Sequence, residues 1–278
     1  MVDIEVRDVV LSGGVRLQVE EAGSGPALLL MHAGIADRHM WDPQWDWLAQ
    51  RFRTVRWDFR GFGDTPHVAG PFSYSGDVLR IMDALGIAQA TLMGCSFAGS
   101  VAIKVAVEQP ERVERLVLVG SGLPGHEANN PPGVEDLFAR VDAAFAREDV
   151  AEAFSLLEQL WLVGPSRRPD EVDAGYLARG RQLLARTNRP DNGAQSLDRD
   201  WSAAGRLEHL HMPVLVLVGD QDVPHVVEIG RELQRRLPVA RLRIIEHAAH
   251  LPNLERTQLF DDILKDWLAE TGGMSRHP

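Results

Sequence analysis

The stretch Thr91-Leu92-Met93-Gly94-Cys95-Ser96-Phe97-Ala98-Gly99 carries an apolar run into a serine. A small residue stands two positions before the serine, and small residues stand two and three after it. A helical pattern begins immediately beyond. A strand that turns at once into a helix forces its corner residue into a strained backbone conformation, and the close approach of the helix admits only small neighbours. The corner side chain is pushed out at the top of a sheet. Ser96 is therefore read as an exposed nucleophile, although this stretch taken alone leaves a plain helix cap open. Cys95 is the competing nucleophile, but its neighbours two away are Met93 and Phe97, too bulky for such a corner. It is assigned to the core as a small apolar residue.

Working outward, the segments 4–10 and 15–21 alternate apolar and polar residues around Ser12-Gly13-Gly14, which predicts an antiparallel hairpin. Short apolar runs then alternate with helical segments. The runs are Ala27–Met31, Arg53–Trp57, Ala90–Met93, Arg115–Val119, Val214–Val218 and Leu242–Ile245. The helices fall at 42–51, 75–86, 97–109, 224–236 and 254–270. Continuously apolar strands are buried on both faces, so the expectation is a doubly wound, mostly parallel sheet covered by helices. About ninety residues separate Val119 from Val214 with no strand-like run between them. Helical patterns at 134–148, 150–162, 170–186 and 192–205 make this an all-helical insertion, longer than an ordinary connection. The division expected is a core of 1–122 and 207–278 with a helical cap of 123–206.

The composition agrees with a globular protein: 278 residues, 45% hydrophobic and 25% charged. A net charge of -11 argues against nucleic acid or an anionic membrane as partner. The lone Cys95 cannot form an internal disulfide, and Met1 to Glu5 lacks the basic and apolar segments of a signal peptide. A cytoplasmic monomer or homodimer is expected. No run approaches the ~20 apolar residues that a spanning helix needs. Gly272 to Pro278 reads as a frayed tail.

Open α/β sheets bind ligands beyond the carboxyl ends of their strands, so the residue after each strand is the test. After Met31 comes His32-Ala33-Gly34-Ile35. A tetrahedral intermediate needs two N–H groups on its oxyanion. One is expected from Phe97 and the other from this loop, at Gly34 or one position on at Ile35, while His32 braces the loop. After Trp57 comes Asp58-Phe59-Arg60-Gly61-Phe62-Gly63-Asp64, where Asp58 and Arg60 are expected as a buried structural pair. After Val218 comes Gly219-Asp220-Gln221-Asp222; Asp222 is taken as the carboxylate that orients a base, and Asp220 as a capping residue. After Ile245 come two histidines, His247 and His250. His250 is preferred, since the small residues Ala248 and Ala249 let the loop carry it toward the serine. The chain order is serine, aspartate, histidine.

These motifs together resemble the α/β-hydrolase superfamily over nearly the whole chain. The matching stretches are His32-Ala33-Gly34, Met40-Trp41-Asp42-Pro43-Gln44, Asp58 to Gly63, Gly94 to Gly99, Gly219 to Asp222, and His250 with Glu255. Within it the chain resembles small capped carboxylesterases and enol-lactone hydrolases. The resemblance implies an eight-stranded sheet, a triad of Ser96, Asp222 and His250, an oxyanion hole at Gly34 and Phe97, no cofactor or metal, and a helical cap. It departs from the family's pattern at Ala33, where glycine is usual, and at Ala98-Gly99. The expected partner is a small ester or lactone, bound by Ile35, Trp41, Phe154, Trp161, Val223 and Leu251. The alternatives are a carbon–carbon or amide hydrolase on the same triad, or a non-catalytic binder of small molecules. Arg167, Arg168, Arg179 and Arg181 are candidates for attracting an acidic substrate, against the commoner case of exposed helix arginines.

Overall fold

In the computed structural model, which describes residues 2–127, 129–187, 193–198 and 200–272, the apolar runs become strands of one sheet. They are β1 (Glu5–Val10), β2 (Arg16–Ala22), β3 (Ala27–Met31), β4 (Arg53–Trp57), β6 (Ala90–Cys95), β7 (Val113–Val119), β9 (Val214–Gly219) and β10 (Ala240–Ile245). Two short strands, β5 (Gly70–Phe72) and β8 (Ala194–Ser196), pair apart from it. The eight-stranded sheet has the order β1-β2-β4-β3-β6-β7-β9-β10. β1 and β2 are antiparallel to their neighbours and the rest are parallel.

Successive side chains of a strand point to opposite faces, and here they sort into two separate cores. Leu29, Leu92, Leu116, Leu118, Val214 and Val216 fall in one. Leu28, Leu30, Met93, Val117, Leu215 and Leu217 fall in the other. Helices cover both faces: α1 (Asp42–Ala49), α2 (Tyr74–Ala84), α3 (Phe97–Glu108), α7 (Pro224–Arg236), α8 (Pro252–Glu255) and α9 (Thr257–Glu270). β10 departs from the fully buried expectation. It is an edge strand, and Arg243 and Ile244 are exposed.

Between β7 and β9 lie α4 (Pro132–Ala146), α5 (Val150–Leu157), a π-helical stretch Glu158–Val163 and α6 (Ala174–Leu184). The third expected helix is shorter than 170–186 because Asp173 caps α6, accepting the Tyr176 amide at 2.8 Å. The fourth, expected at 192–205, is not formed where the chain is described, and the insertion is not all-helical. β8 runs parallel to β5 instead, with Gly70 N donating to Gly193 O and Leu197 N to Phe72 O. Ala194-Gln195-Ser196 has no strong preference of its own, and a partner distant in sequence decides its state. Residues 192 and 199 of that expected helix, and the tail beyond Gly272, lie outside the described residues. Among the described residues no helix is long and apolar enough to cross a membrane.

Ion pairs tie α6 and the residues just after it to the sheet's upper loops. Arg179 meets Asp42 at 2.5 Å, and Arg186 pairs with Asp37 and with Asp64. Asp58 and Arg60 do not pair with each other, contrary to expectation. Asp58 accepts from Arg38 and from the Asp64 amide, while Arg60 grips Asp77 at 2.6 and 2.8 Å.

Candidate active site

Ser96 has φ 60 and ψ -123, in a region that L-residues rarely occupy. The small neighbours are sterically required. A β-carbon at Gly94 would stand 2.5 Å from Ala98 O, and one at Gly99 would stand 2.2 Å from Ser121 Oγ. Ala98 is completely buried. Ser96 N donates to Val119 O at 2.8 Å, anchoring the corner to the adjacent strand end. Cys95 is fully buried, and burial pushes its thiol pKa well up, which removes it as a nucleophile.

Ser96 and Phe97 are half-buried. Phe97 opens α3, so its N–H has no partner within the helix. Among the described residues the N–H groups of Phe97, Gly34 and Ile35 donate to no protein acceptor. Gly34 lies against the Phe97 ring, since a β-carbon there would be 3.5 Å from Cδ1. His32 holds the loop from below. Its Nδ1 is 2.9 Å from Ala33 O, and Nε2 accepts the Phe59 amide at 3.0 Å. Burial drives its pKa down, so the ring is neutral.

His250 is 2% exposed and faces Asp222, whose side chain is sealed. Nδ1 stands 2.8 Å from Oδ2 and 3.0 Å from Oδ1. This geometry assigns the proton to Nδ1 and leaves the lone pair on Nε2. Asp222 Oδ1 also accepts the Val223 amide at 2.7 Å. Gly120 borders the pair: with φ 48, a β-carbon there would come 3.1 Å from Nδ1. The loop that carries His250 is fixed from several sides. Ala249 N donates to Glu255 Oε2 at 2.7 Å, Ala248 N to Asp220 Oδ1 at 3.3 Å, and His250 N to Trp161 O at 3.2 Å. Gly219 allows the loop to lie close, since a β-carbon would be 2.1 Å from Ala248 O. His247 is exposed, with φ 57, and does not meet Asp222.

The expected lining residues fall into two groups. Trp161 lies on the π-helical stretch with its ring centroid 4.3 Å from that of His250, and π-turns of this kind recur at functional sites. Ile35 and Phe154 are half-buried. Trp41, Val223 and Leu251 are completely buried, and Trp41 faces Phe260 with centroids 6.4 Å apart. Each of the four arginines already has a carboxylate partner: Arg167 with Glu255, Arg168 with Asp170, Arg179 with Asp42 and Arg181 with Glu158.

Two neighbours of the pair escaped sequence reasoning. His225 stacks edge-on with Trp161 at 6.5 Å, and its Nδ1 is 2.9 Å from Asn130 Oδ1. Burial lowers its pKa. Gly120 is the other, and Gly120-Ser121-Gly122 ending a strand was the only available signal. No group of three or more His, Cys, Asp or Glu among the described residues is arranged to hold a metal ion.

A family model described as alpha/beta hydrolase fold matches residues 26–257, and the chain belongs to this family. It is 31% identical over 247 residues to a pimeloyl-[acyl-carrier protein] methyl ester esterase of Neisseria meningitidis, covering 86% of this chain and 91% of that protein. Among solved structures it is similar to a thermophilic esterase from Thermogutta terrifontis, with a TM-score of 0.75 and 23% identity over 96% of this chain and 99% of that one. An enol-lactonase from Burkholderia xenovorans LB400 has a TM-score of 0.73 and 24% identity, over 95% and 100% of the two chains.

Proposed function

We propose that this protein is a serine hydrolase that cleaves a small carboxylic ester or lactone through an acyl-enzyme, using Ser96, His250 and Asp222. The observation that carries the reading is the sealed His250–Asp222 pair at 2.8 Å, in a chain whose β6–α3 corner, at φ 60, holds a serine. Likeness to a methyl ester esterase at 31% identity supports the bond class. A lactone is an internal ester and asks for the same chemistry.

His250 Nε2 takes the hydroxyl proton of Ser96 as Oγ attacks the carbonyl carbon. Asp222 holds the imidazole in the tautomer this requires and stabilises the imidazolium. The N–H groups of Phe97 and Gly34 receive the oxyanion, and losing one such donor typically costs about 3 kcal/mol of barrier. The imidazolium then gives its proton to the departing alkoxide. Water repeats the sequence on the acyl-enzyme and frees the acid. Segment 123–206 acts as the cap over this chemistry. Support for that comes from Trp161, a residue of the segment that packs on His250.

The test is hydrolysis of p-nitrophenyl esters and lactones by the parent protein and by Ser96→Ala, with fluorophosphonate labelling mapped by mass spectrometry. Labelling at Ser96 and loss of turnover in the variant are expected. Parental turnover by Ser96→Ala sinks the proposal.

A further inference from the structure

A cavity of about 280 Å³ starts at Phe97 and follows α3 away from the strand–helix corner. Phe97, Ser100, Val101 and Lys104 form its floor. Their spacing of three, one and three puts them on one helix face, over on the order of 10 Å. The opposite wall comes from Pro124, after β7, and from Trp201, in the segment that follows β8. The surface is predominantly apolar, and the cavity lies between the core and the segment inserted after β7, a favoured place for ligand sites.

Chemistry at the serine decides which part of a substrate goes there. The leaving oxygen must lie beside His250 Nε2 to receive its proton. The acyl substituent, on the same carbonyl carbon, is then directed away from His250. No residue lining the cavity makes a hydrogen bond or ring contact with His250, Asp222 or Trp161. The lining does include the side chain of Phe97, whose N–H serves the oxyanion in the proposed mechanism. That ring stacks on Phe62 at 5.4 Å and meets Tyr74 at 5.5 Å, so one residue borders both the carbonyl and the cavity.

The charges at the far end are already satisfied. Lys104 Nζ lies 3.3 Å from Asp198 Oδ1, 3.1 Å from Glu108 Oε1 and 5.3 Å from the centre of the Trp201 ring. Asp198 further accepts from Ser73 Oγ at 2.8 Å and from the Tyr74 amide at 2.6 Å. A charged tail would need to displace one of these partners. A neutral one needs only to displace water from apolar walls.

We propose that this cavity is the acyl subsite, selecting an uncharged alkyl chain of medium length or a single aromatic ring, with Phe97 and Val101 as its specificity-determining residues. The inference rests on the assignment of Ser96 as nucleophile. Size fits the occupant: an engineered apolar cavity of about 150 Å³ accepts benzene.

The test compares p-nitrophenyl acetate and hexanoate on the full chain and on two variants that alter the cavity in opposite senses. Val101→Phe should lower the hexanoate-to-acetate ratio of kcat/KM by about tenfold or more, and Trp201→Ala should move the preferred acyl length upward. The p-nitrophenyl monoester of adipic acid, which adds a distal carboxylate, should react at least about tenfold less efficiently than the hexanoate. A chain-length profile unchanged in both variants overturns the subsite, and equal efficiency on the adipate overturns its neutrality. Failure of the nucleophile assignment looks different: Ser96→Ala would keep parental turnover. Methyl hexyl ketone, which is not hydrolysed, then reads the cavity by itself. It should bind the parent about tenfold more tightly than Val101→Phe, and equal affinity overturns the subsite independently of Ser96.

Discussion

Glu255 and Arg167 meet at 2.8 Å behind the loop that carries His250, with their side chains only 5% and 13% exposed. The other Glu255 oxygen takes the Ala249 amide, one residue before the histidine. Arg167 also donates to Val163 O, at the end of the π-helical stretch that supplies Trp161. One carboxylate thus couples the histidine loop to the element packed on the histidine ring.

Replacing Glu255 with alanine leaves a largely buried guanidinium and a buried amide without their acceptor. Breaking such a pair costs roughly 3 kcal/mol. Thermal unfolding should drop by several degrees, and kcat should fall with little change in KM as His250 loses its placement. An unaltered melting temperature and kcat would show that the loop is held by other contacts.

Ser96→Gly separates strain from chemistry. At φ 60 and ψ -123 a non-glycine residue costs on the order of 1–3 kcal/mol, and glycine relieves it while adding roughly 0.5–1 kcal/mol of unfolded-state entropy. Denaturant unfolding should show the variant about 1 kcal/mol more stable than the parent, with hydrolysis lost. A variant less stable than the parent would mean the corner is not strained.

Gly120→Ala tests the room beside the histidine. The substitution combines a left-handed backbone with a β-carbon 3.1 Å from His250 Nδ1. The backbone term alone costs about 1–2 kcal/mol. In the expected outcome kcat falls by at least about tenfold and the pH–rate profile of kcat shifts, because the His250–Asp222 contact is displaced. Parental kinetics would show that the pair can absorb the methyl group.

His32 links stability to pH. Burial lowers its folded pKa below the unfolded value near 6.5. The unfolded chain then binds more protons between the two values, so stability rises with pH there. Its contribution is complete above about pH 6.5 and is lost as pH falls through the folded pKa, with a slope of up to about 1.4 kcal/mol per unit. Unfolding free energies measured from pH 8 to 5 should therefore decline more steeply for the parent than for His32→Asn. Equal slopes would place the titration elsewhere.

Much of the architecture was legible because its signals are local and redundant. Apolar runs such as Leu28-Leu29-Leu30 have only one way to be buried on both faces. Small residues at 94, 98 and 99 betray the tight corner that requires them. Asp222 is preferred over Asp220 on local spacing, triad logic and the family resemblance; in the structure the sealed Asp222 side chain meets His250, and Asp220 accepts the Ala248 amide. Asp58 and Arg60 do not form the expected pair, because proximity in sequence says nothing about which buried partner, Arg38 or Asp77, lies closer in space. Where it is described, the segment 192–205 departs from the expected helix for a similar reason: its strand exists only through pairing with Gly70–Phe72, more than a hundred residues away.

The sequence by itself determined the layered α/β frame, the glycine-lined corner at Ser96 and the loops on which an aspartate and a histidine sit, since steric and solvent terms act over a few neighbouring residues. Only the tertiary structure decided that Trp161 lies on His250, that Glu255 anchors the loop through Ala249 and Arg167, and that α3 lines a cavity bordered by the Lys104–Asp198 ion pair. Apart from the Glu255–Ala249 contact, those relations join residues far apart in the chain, Arg167 and Glu255 by 88 positions. Their energies depend on burial and distance, which no local pattern encodes.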